Sequence, residues 1–291
     1  MTRLPSPLLL ALPVFALGCT PPDPAPSALS DLLIFGMQNF DTSDVSNERS
    51  LADAAANFET WYDEALAEAV AEDPDYDTNL GVSRGLTDES ARLSEDELLG
   101  LDPAPEVITG EDAVGVVVVR DTHCSLAELD SLYLRDDQTT LFPDNYIAYE
   151  RSGQEGYDCF PAGECDEARW ITDLTSGIVN NTITTQMILH NEMRGFDALP
   201  LADDAEENRV GRISRAWMIE EGVVTPSTIG RFKQNIQFEF VVEKTPDTFL
   251  HVYAQWVEMQ SGEINTEGAF FLNSYIEGLQ EYMVQLETWC D

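Results

Sequence analysis

The second half of the chain is a series of strand patterns that ends in one long amphipathic helix. A continuous apolar run over residues 116–119, rich in β-branched side chains, predicts a buried strand. Later segments alternate apolar and polar residues, which places every second side chain on one face. The further predicted strands are 146–151, 168–179, 182–192, 209–224, 229–243 and 249–259. An apolar stripe over 272–289 predicts the final helix, so the predicted fold class is α+β.

The preceding part of the chain is predicted to be helical and then irregular. Residues 29–72 carry apolar side chains at helical spacing, and Ser50 with Asp53 resembles a capping box. Residues 73–112 are acidic and punctuated by glycine and proline, which is typical of a linker. The predicted organisation is a small helical N-terminal region at 29–72, an acidic linker at 73–112 and an α+β domain at 113–291.

The order of elements in that domain resembles the helix-grip fold of START-like lipid-transfer and polyketide-cyclase-like proteins. It runs from one strand through two short helices and a series of antiparallel strands to a long C-terminal helix. Ser125 with Glu128 predicts a capping box at the start of the first short helix. The resemblance implies a curved antiparallel sheet that grips the C-terminal helix, with a ligand-binding apolar cavity between them. An unrelated α+β domain with a covered antiparallel sheet is the alternative.

Apolar and aromatic side chains of the strands and the last helix are expected to line such a cavity. The candidates are Arg215, Trp217, Phe238, Phe240, Val252, Trp256, Phe271 and Tyr275. Arg215 differs from the rest, because an arginine on an otherwise apolar strand face needs a carboxylate or the anionic end of a ligand. The alternative is that these side chains are ordinary core residues and that Arg215 reaches a carboxylate at the sheet edge.

Four cysteines follow Cys19, an even number that suggests two disulfides in an exported chain. Three connectivities are possible among Cys124, Cys159, Cys165 and Cys290. A local bridge across the turn-rich segment between Cys159 and Cys165 leaves Cys124 for Cys290. The helix-grip resemblance favours this pairing, because it implies that the short helices support the C-terminal end of the long helix.

Residues 1–18 are typical of a secretory signal, with a basic start and a short apolar run. The sequence Ala-Leu-Gly-Cys ending at Cys19 resembles the lipobox of bacterial lipoproteins, although alanine stands where leucine is usual. The resemblance implies a lipid on Cys19, a proline-rich tether at 19–28 and export to the cell envelope. The residue after Cys19 is Thr20 and not aspartate, which resembles lipoproteins that are sent on to the outer membrane. The protein is then expected to face the periplasm or the cell surface. The alternative is an ordinary signal peptide with an incidental cysteine.

The charge of the chain excludes one class of partner. There are 54 acidic and 15 basic residues, for a net charge of −39, and such a surface repels phosphate backbones. A nucleic-acid partner is therefore not expected. No segment after the signal has an apolar run long enough to span a bilayer, so the lipid is the only expected membrane attachment.

Motifs for catalysis or metal binding are not found in the sequence. The three histidines lack metal-ligand spacing, and no nucleophile elbow, phosphate-binding loop or dinucleotide fingerprint is present. The sequence therefore predicts no catalytic residue, metal or cofactor, and a protein that is not an enzyme.

Two functions fit these features. The first is an envelope-anchored lipoprotein that binds a hydrophobic or amphipathic small molecule between the sheet and the C-terminal helix. The alternative is a structural or interaction lipoprotein with a solid core and a protein partner of unknown identity. A cavity between sheet and helix distinguishes the two hypotheses.

Overall fold

A computed structural model describes residues 24–40, 45–86, 93–94, 96, 98, 100–106, 113–178, 183–198, 209–227, 230–260 and 269–290. For residues 45–50, 178, 197–198 and 269–271 the description covers the backbone. The helices of this part of the chain are α1 (Leu29–Gln38), α2 (Val45–Glu72), α3 (Leu126–Tyr133), α4 (Gln138–Leu141) and α5 (Ala269–Glu287). A short 3-10 helix, Thr78–Leu80, follows α2.

The described strands form one antiparallel sheet. They are β1 (Val82–Leu86), β2 (Val114–Thr122), β3 (Tyr146–Glu155), β4 (Glu167–Ile178), β5 (Ile183–Ala198), β6 (Arg209–Met218), β7 (Val223–Thr225), β8 (Arg231–Thr245) and β9 (Thr248–Gln260). Their order across the sheet is β1-β2-β9-β8-β6-β5-β4-β3, with the short β7 beside β5. The predicted fold class is confirmed: the protein is α+β, with a curved antiparallel sheet, a long C-terminal helix and N-terminal helices.

Both faces of this sheet are covered, and each face has a different partner. On one face, which we call the N-terminal face, helices α1 and α2 pack against the central strands. Leu33 of α1 and Phe58 of α2 share this core with Val117, Phe238 and Phe240, all with no measurable exposure. Burial of this much apolar surface away from water is the main source of stability in such a layer.

The approach of α1 to the sheet is close enough to require a glycine. A Cβ atom added to Gly36 would lie 2.5 Å from Cζ of Phe238, which is nearer than two carbon atoms can pack. Because Gly36 has no side chain, the backbone of α1 packs directly against the Phe238 ring. The N-terminal helices are part of the main core by this contact.

The structure differs from the sequence prediction within 73–112. Val82–Leu86, inside the predicted linker, forms the edge strand β1 and pairs with β2 from Val82 opposite Val119 to Leu86 opposite Gly115. The reason for the error is physical. Only Val82 and Leu86 are buried in this strand. The three residues between them are not apolar, so the sequence shows no alternation of apolar and polar residues that would predict a strand.

Helix α5 lies on the other face, which we call the α5 face. Its Leu279 and Met283 pack against Val116, Val118 and Tyr253. The capping box predicted at the start of α3 is present, with Ser125 and Glu128 each accepting from the backbone of the other. The predicted cysteine pairing is also the one observed, and Cys124 at this corner is bonded to Cys290 beyond the end of α5, while Cys159 is bonded to Cys165.

Candidate functional site

A cavity of about 470 Å³ lies between the α5 face of the sheet and helix α5. Its walls come from the strands β3 to β6, β8 and β9, from α5, and from Tyr133 and Gln138 on the short helices. The interior of the chain is therefore not solid. Pockets of about 300–1,000 Å³ are usual for small-molecule sites, and this cavity falls in that range.

One part of the cavity wall is apolar. Leu174 of β4 lies opposite Met187 of β5, and both belong to a buried cluster with Leu189 and Phe232. Tyr275 of α5 packs against the same cluster from the helix side. This region offers apolar surface to a ligand without any buried charge.

The neighbouring part of the wall is polar, because the sheet register aligns polar residues of the central strands. Asn191 lies opposite Ala216, which lies opposite Gln237, which lies opposite Gln255. The next row contains Ser214, Glu239 and Tyr253. The rows contain hydrogen-bonded polar side chains, as Gln255 donates to Asn235 at 2.8 Å and Tyr253 donates to Gln237 at 3.1 Å. The cavity is thus amphipathic, with an apolar and a polar region.

Glu239 is the carboxylate that faces this polar region. It accepts hydrogen bonds from the hydroxyls of Tyr133 and Ser214, the latter at 3.1 Å, and it contacts Nε2 of His251. Arg212 on the same face is paired with Asp130 of α3. Glu239 is therefore held by three partners and is not a free charge in the cavity.

Tyrosines are unusually frequent in the wall. Within the described residues the cavity-lining tyrosines are Tyr133, Tyr146, Tyr149, Tyr253, Tyr275 and Tyr282. Burial raises the pKa of the Tyr133, Tyr253 and Tyr282 hydroxyls well above the ordinary value, since a phenolate would be desolvated there. These hydroxyls stay protonated at physiological pH and remain hydrogen-bond donors.

Arg151 of β3 also lines the cavity and is absent from the residues predicted from sequence. Its guanidinium carbon lies 5.0 Å from the ring centre of Tyr149 and 5.5 Å from those of Tyr157 and Trp170. A signal for it exists in the sequence, because Tyr149 and Arg151 are two residues apart on one strand and so share a face. That spacing does not show which face looks into the cavity.

Most of the predicted ligand-binding residues lie on the face of the sheet opposite the cavity. Tyr275 does line the cavity. The side chain of Phe271 lies outside the described residues. The remaining apolar candidates are buried in the core of the N-terminal face: Trp217, Phe238, Phe240, Val252 and Trp256. They lie there because α1 and α2 cover the more apolar face of the strands.

Arg215 borders the cavity, but its guanidinium belongs to the N-terminal face. Nε donates to Glu192 at 2.7 Å and Nη1 donates to the carbonyl of Met37 in α1 at 3.0 Å. The guanidinium also lies 4.4 Å from the ring centre of Phe40. The ligand role predicted for Arg215 is therefore not supported, since Glu192 on the neighbouring strand supplies the carboxylate that it needs.

Within the described ranges, no group of three or more His, Cys, Asp and Glu side chains is placed to hold a metal ion. Of the helices described here, none combines the length and the apolar character needed to cross a membrane.

Comparisons with known proteins give similarity at the level of structure. No protein-family profile matches the chain, and no curated protein matches it by sequence. A START superfamily protein from Mycobacterium smegmatis is 14% identical, over 60% of this chain and 96% of that chain, with a TM-score of 0.36. Human STARD10 is 8% identical over 61% and 63% of the two chains, with a TM-score of 0.37. A major latex-like protein from Panax ginseng is 14% identical over 61% and 98%, with a TM-score of 0.34. Similarities at these TM-scores do not assign a ligand to this chain.

Proposed function

We propose that this chain binds an amphipathic small molecule in the cavity between the sheet and helix α5. The observation that carries the proposal is the cavity itself, about 470 Å³ in volume with an apolar region beside a polar one. The lining residues Ser274 and Gly278 of α5 are exposed, so the cavity opens to solvent and a ligand can enter on this side. A bound ligand would remove the apolar part of the wall from water.

Gly278 of α5 supports this proposal. It lines the cavity from the middle of the helix but is itself exposed, and a Cβ atom added there would meet no atom within 4 Å. Glycine in a helix interior is about 1 kcal/mol less favourable than alanine. The helix thus carries a residue that weakens it at the exposed border of the cavity.

We expect substitution of Gly278 to close the site from the helix side. Gly278→Phe adds a benzyl group at the exposed border of the cavity and should weaken binding of the neutral fluorescent probe N-phenyl-1-naphthylamine by at least about tenfold, because the bulky side chain obstructs entry. Gly278→Ala is the matched control. It should keep the affinity within about twofold and raise the free energy of unfolding by roughly 0.5–1 kcal/mol. Fluorescence titration and chemical denaturation measure the two quantities.

Native mass spectrometry of residues 20–291, followed by organic extraction, asks the same question without a probe. A stoichiometric apolar adduct that is lost on denaturation, and is absent from Gly278→Phe, is the expected result. Unchanged probe binding in Gly278→Phe would place the probe elsewhere and contradict the proposed site.

The second part of the proposal concerns location: the protein is exported and anchored to the cell envelope, on the outer membrane, by a lipid on Cys19. Support comes from the signal-like residues 1–18 and the lipobox-like sequence before Cys19. Stable anchoring needs two or more acyl chains, which a diacylated cysteine provides. The ligand-binding domain would then work outside the cytoplasm, where its two disulfides are stable.

A single substitution tests the anchor. The full chain, expressed in a bacterial host, should partition into the detergent phase of Triton X-114, and Cys19→Ala should move it to the aqueous phase. Mass spectrometry of the N-terminal peptide is the direct measurement. An unlipidated N-terminus in the wild-type chain, from cleavage elsewhere than before Cys19, would rule the anchor out.

A further inference from the structure

Arg151 is a cation in the cavity wall that has no ion pair with a carboxylate of the described residues. Nε and Nη2 donate to the hydroxyl of Tyr149 at 3.1 Å and 3.0 Å, and Nη2 also donates to the carbonyl of Tyr133. Among the described residues, no carboxylate lies within 4.0 Å of the guanidinium, and Nη1 is enclosed without a hydrogen-bond partner. Burial of a charge without an opposite charge is costly.

Three other half-buried arginines of the described chain do have acidic partners. Arg212 pairs with Asp130, Arg215 with Glu192, and Arg209 with Glu59. A chain with 54 acidic residues has no shortage of carboxylates to pair with a cation. Arg151 therefore differs from these three arginines, because within the described part of the chain no carboxylate is paired with it.

Trp170 packs against the same guanidinium. Its ring centre lies 5.5 Å from the guanidinium carbon, and its indole Nε1 is covered by protein atoms. A guanidinium group donates hydrogen bonds and never accepts them. A charged donor without an acidic partner is complementary to an acceptor that carries negative charge.

The aromatic rings around Arg151 fix its position without removing its charge. Cation–π contacts with Tyr149, Tyr157 and Trp170 hold the guanidinium in place and leave it positive. A charge held in this way is preorganised, so an incoming anion does not have to order the side chain. The cavity-lining carboxylate of Glu239 is occupied by Tyr133, Ser214 and His251.

We propose that the ligand is an amphipathic anion whose carboxylate, sulfonate or phosphate group binds Arg151. The apolar body would extend along Leu174, Met187 and Phe232. This inference rests on the proposed function, because it names the chemical class of the molecule that the same cavity takes. The net charge of −39 does not prevent binding of an anion at Arg151. Physiological salt screens charges that lie more than about 8 Å away, so the distant carboxylates repel the anion only weakly.

Two probes with the same aromatic body test the inference: 1-anilinonaphthalene-8-sulfonate, which is anionic, and N-phenyl-1-naphthylamine, which lacks the sulfonate. In 0.15 M salt, Arg151→Gln should weaken binding of the sulfonate probe by at least about tenfold and that of the neutral probe by less than about threefold. Arg151→Lys, which keeps a cation, should retain part of the sulfonate affinity. Arg135→Gln removes an exposed arginine outside the cavity and controls for net charge. Circular dichroism verifies that each variant is folded.

The outcomes separate the two proposals. If Arg151→Gln weakens both probes equally, or neither, the anion site is overturned and the cavity function stands. If neither probe binds the wild-type chain, the proposed function fails as well.

A measurement on the wild-type chain tests the proposed anion site even if the Arg151 variants do not fold. Decanoate should displace N-phenyl-1-naphthylamine at a concentration at least about tenfold lower than decyltrimethylammonium, although the overall negative charge favours the cation. Stronger displacement by the cation would overturn the inference.

Discussion

Removal of the Cys124–Cys290 disulfide is expected to lower the free energy of unfolding by about 5 kcal/mol. The bond links two residues separated by 166 positions, so it closes nearly all of the α+β part into one loop. Such a crosslink restricts the unfolded chain, and the effect grows with the length of the loop. The double variant Cys124→Ala and Cys290→Ala, unfolded with guanidinium, measures the loss.

The Cys159–Cys165 disulfide provides the matched control. It spans a separation of six residues, so its removal by Cys159→Ala and Cys165→Ala should cost only about 2 kcal/mol. The long bridge also lies near the ion pair of Arg120 with Glu287, which joins β2 to the end of α5. Equal losses in the two double variants would contradict the loop-length explanation. A greater loss for the short bridge would also contradict it.

Phe238→Ala is expected to lower the free energy of unfolding by about 3–5 kcal/mol and to leave probe binding unchanged. The Phe238 ring has no measurable exposure and packs beneath Gly36 of α1, with the ring of Phe240 6.5 Å away between centres. Truncation leaves a cavity that the rigid helix and sheet cannot close. Denaturation and titration with N-phenyl-1-naphthylamine, side by side, measure both quantities.

Phe232→Ala is the matched control on the same strand. Phe232 of β8 lines the ligand cavity and belongs to the apolar cluster with Leu174 and Met187. Because one side of its ring borders existing empty space, its removal should cost less stability than the loss of Phe238. It should change the affinity for the probe. If Phe238→Ala alters the affinity while Phe232→Ala does not, the probe binds on the N-terminal face and not in the cavity on the α5 face.

These two phenylalanines show how far a sequence pattern reaches. The alternation of Ile236, Phe238 and Phe240 on β8 predicts correctly that the three side chains share one face. It also predicts the polar character of the other face, which carries Gln237 and Glu239. The pattern does not identify the partner of either face, because helices precede and follow the strands in the chain.

The helix-grip resemblance led us to expect the apolar face of the strands to line the cavity. The most apolar face is the one that is most completely removed from water, and here that is the face under α1 and α2. A cavity that holds an amphipathic molecule needs polar groups in its wall. Polar members of the central strands therefore face the cavity, beside the apolar cluster of Leu174, Met187 and Phe232.

Arg151 and Gly278 could not be recognised as site residues from their positions in the sequence. Each is unremarkable locally, one as a charge on a strand and the other as a glycine in a helix. Their significance comes from what surrounds them. Within the described residues, Arg151 contacts three aromatic rings and forms no ion pair with a carboxylate, and a Cβ atom at Gly278 would meet open space. Such facts depend on contacts between residues far apart in the chain.

The sequence by itself determined the properties that depend on neighbouring residues. These are the α+β class, the helices and most of the strands, the capping box at Ser125 and the shared face of each alternating strand. Only the tertiary structure decided which helices cover which face, that β1 joins the sheet, and where the cavity and Arg151 meet. The physical reason is that periodicity fixes side-chain direction relative to one strand, whereas the choice of packing partner depends on the burial of the whole chain at once.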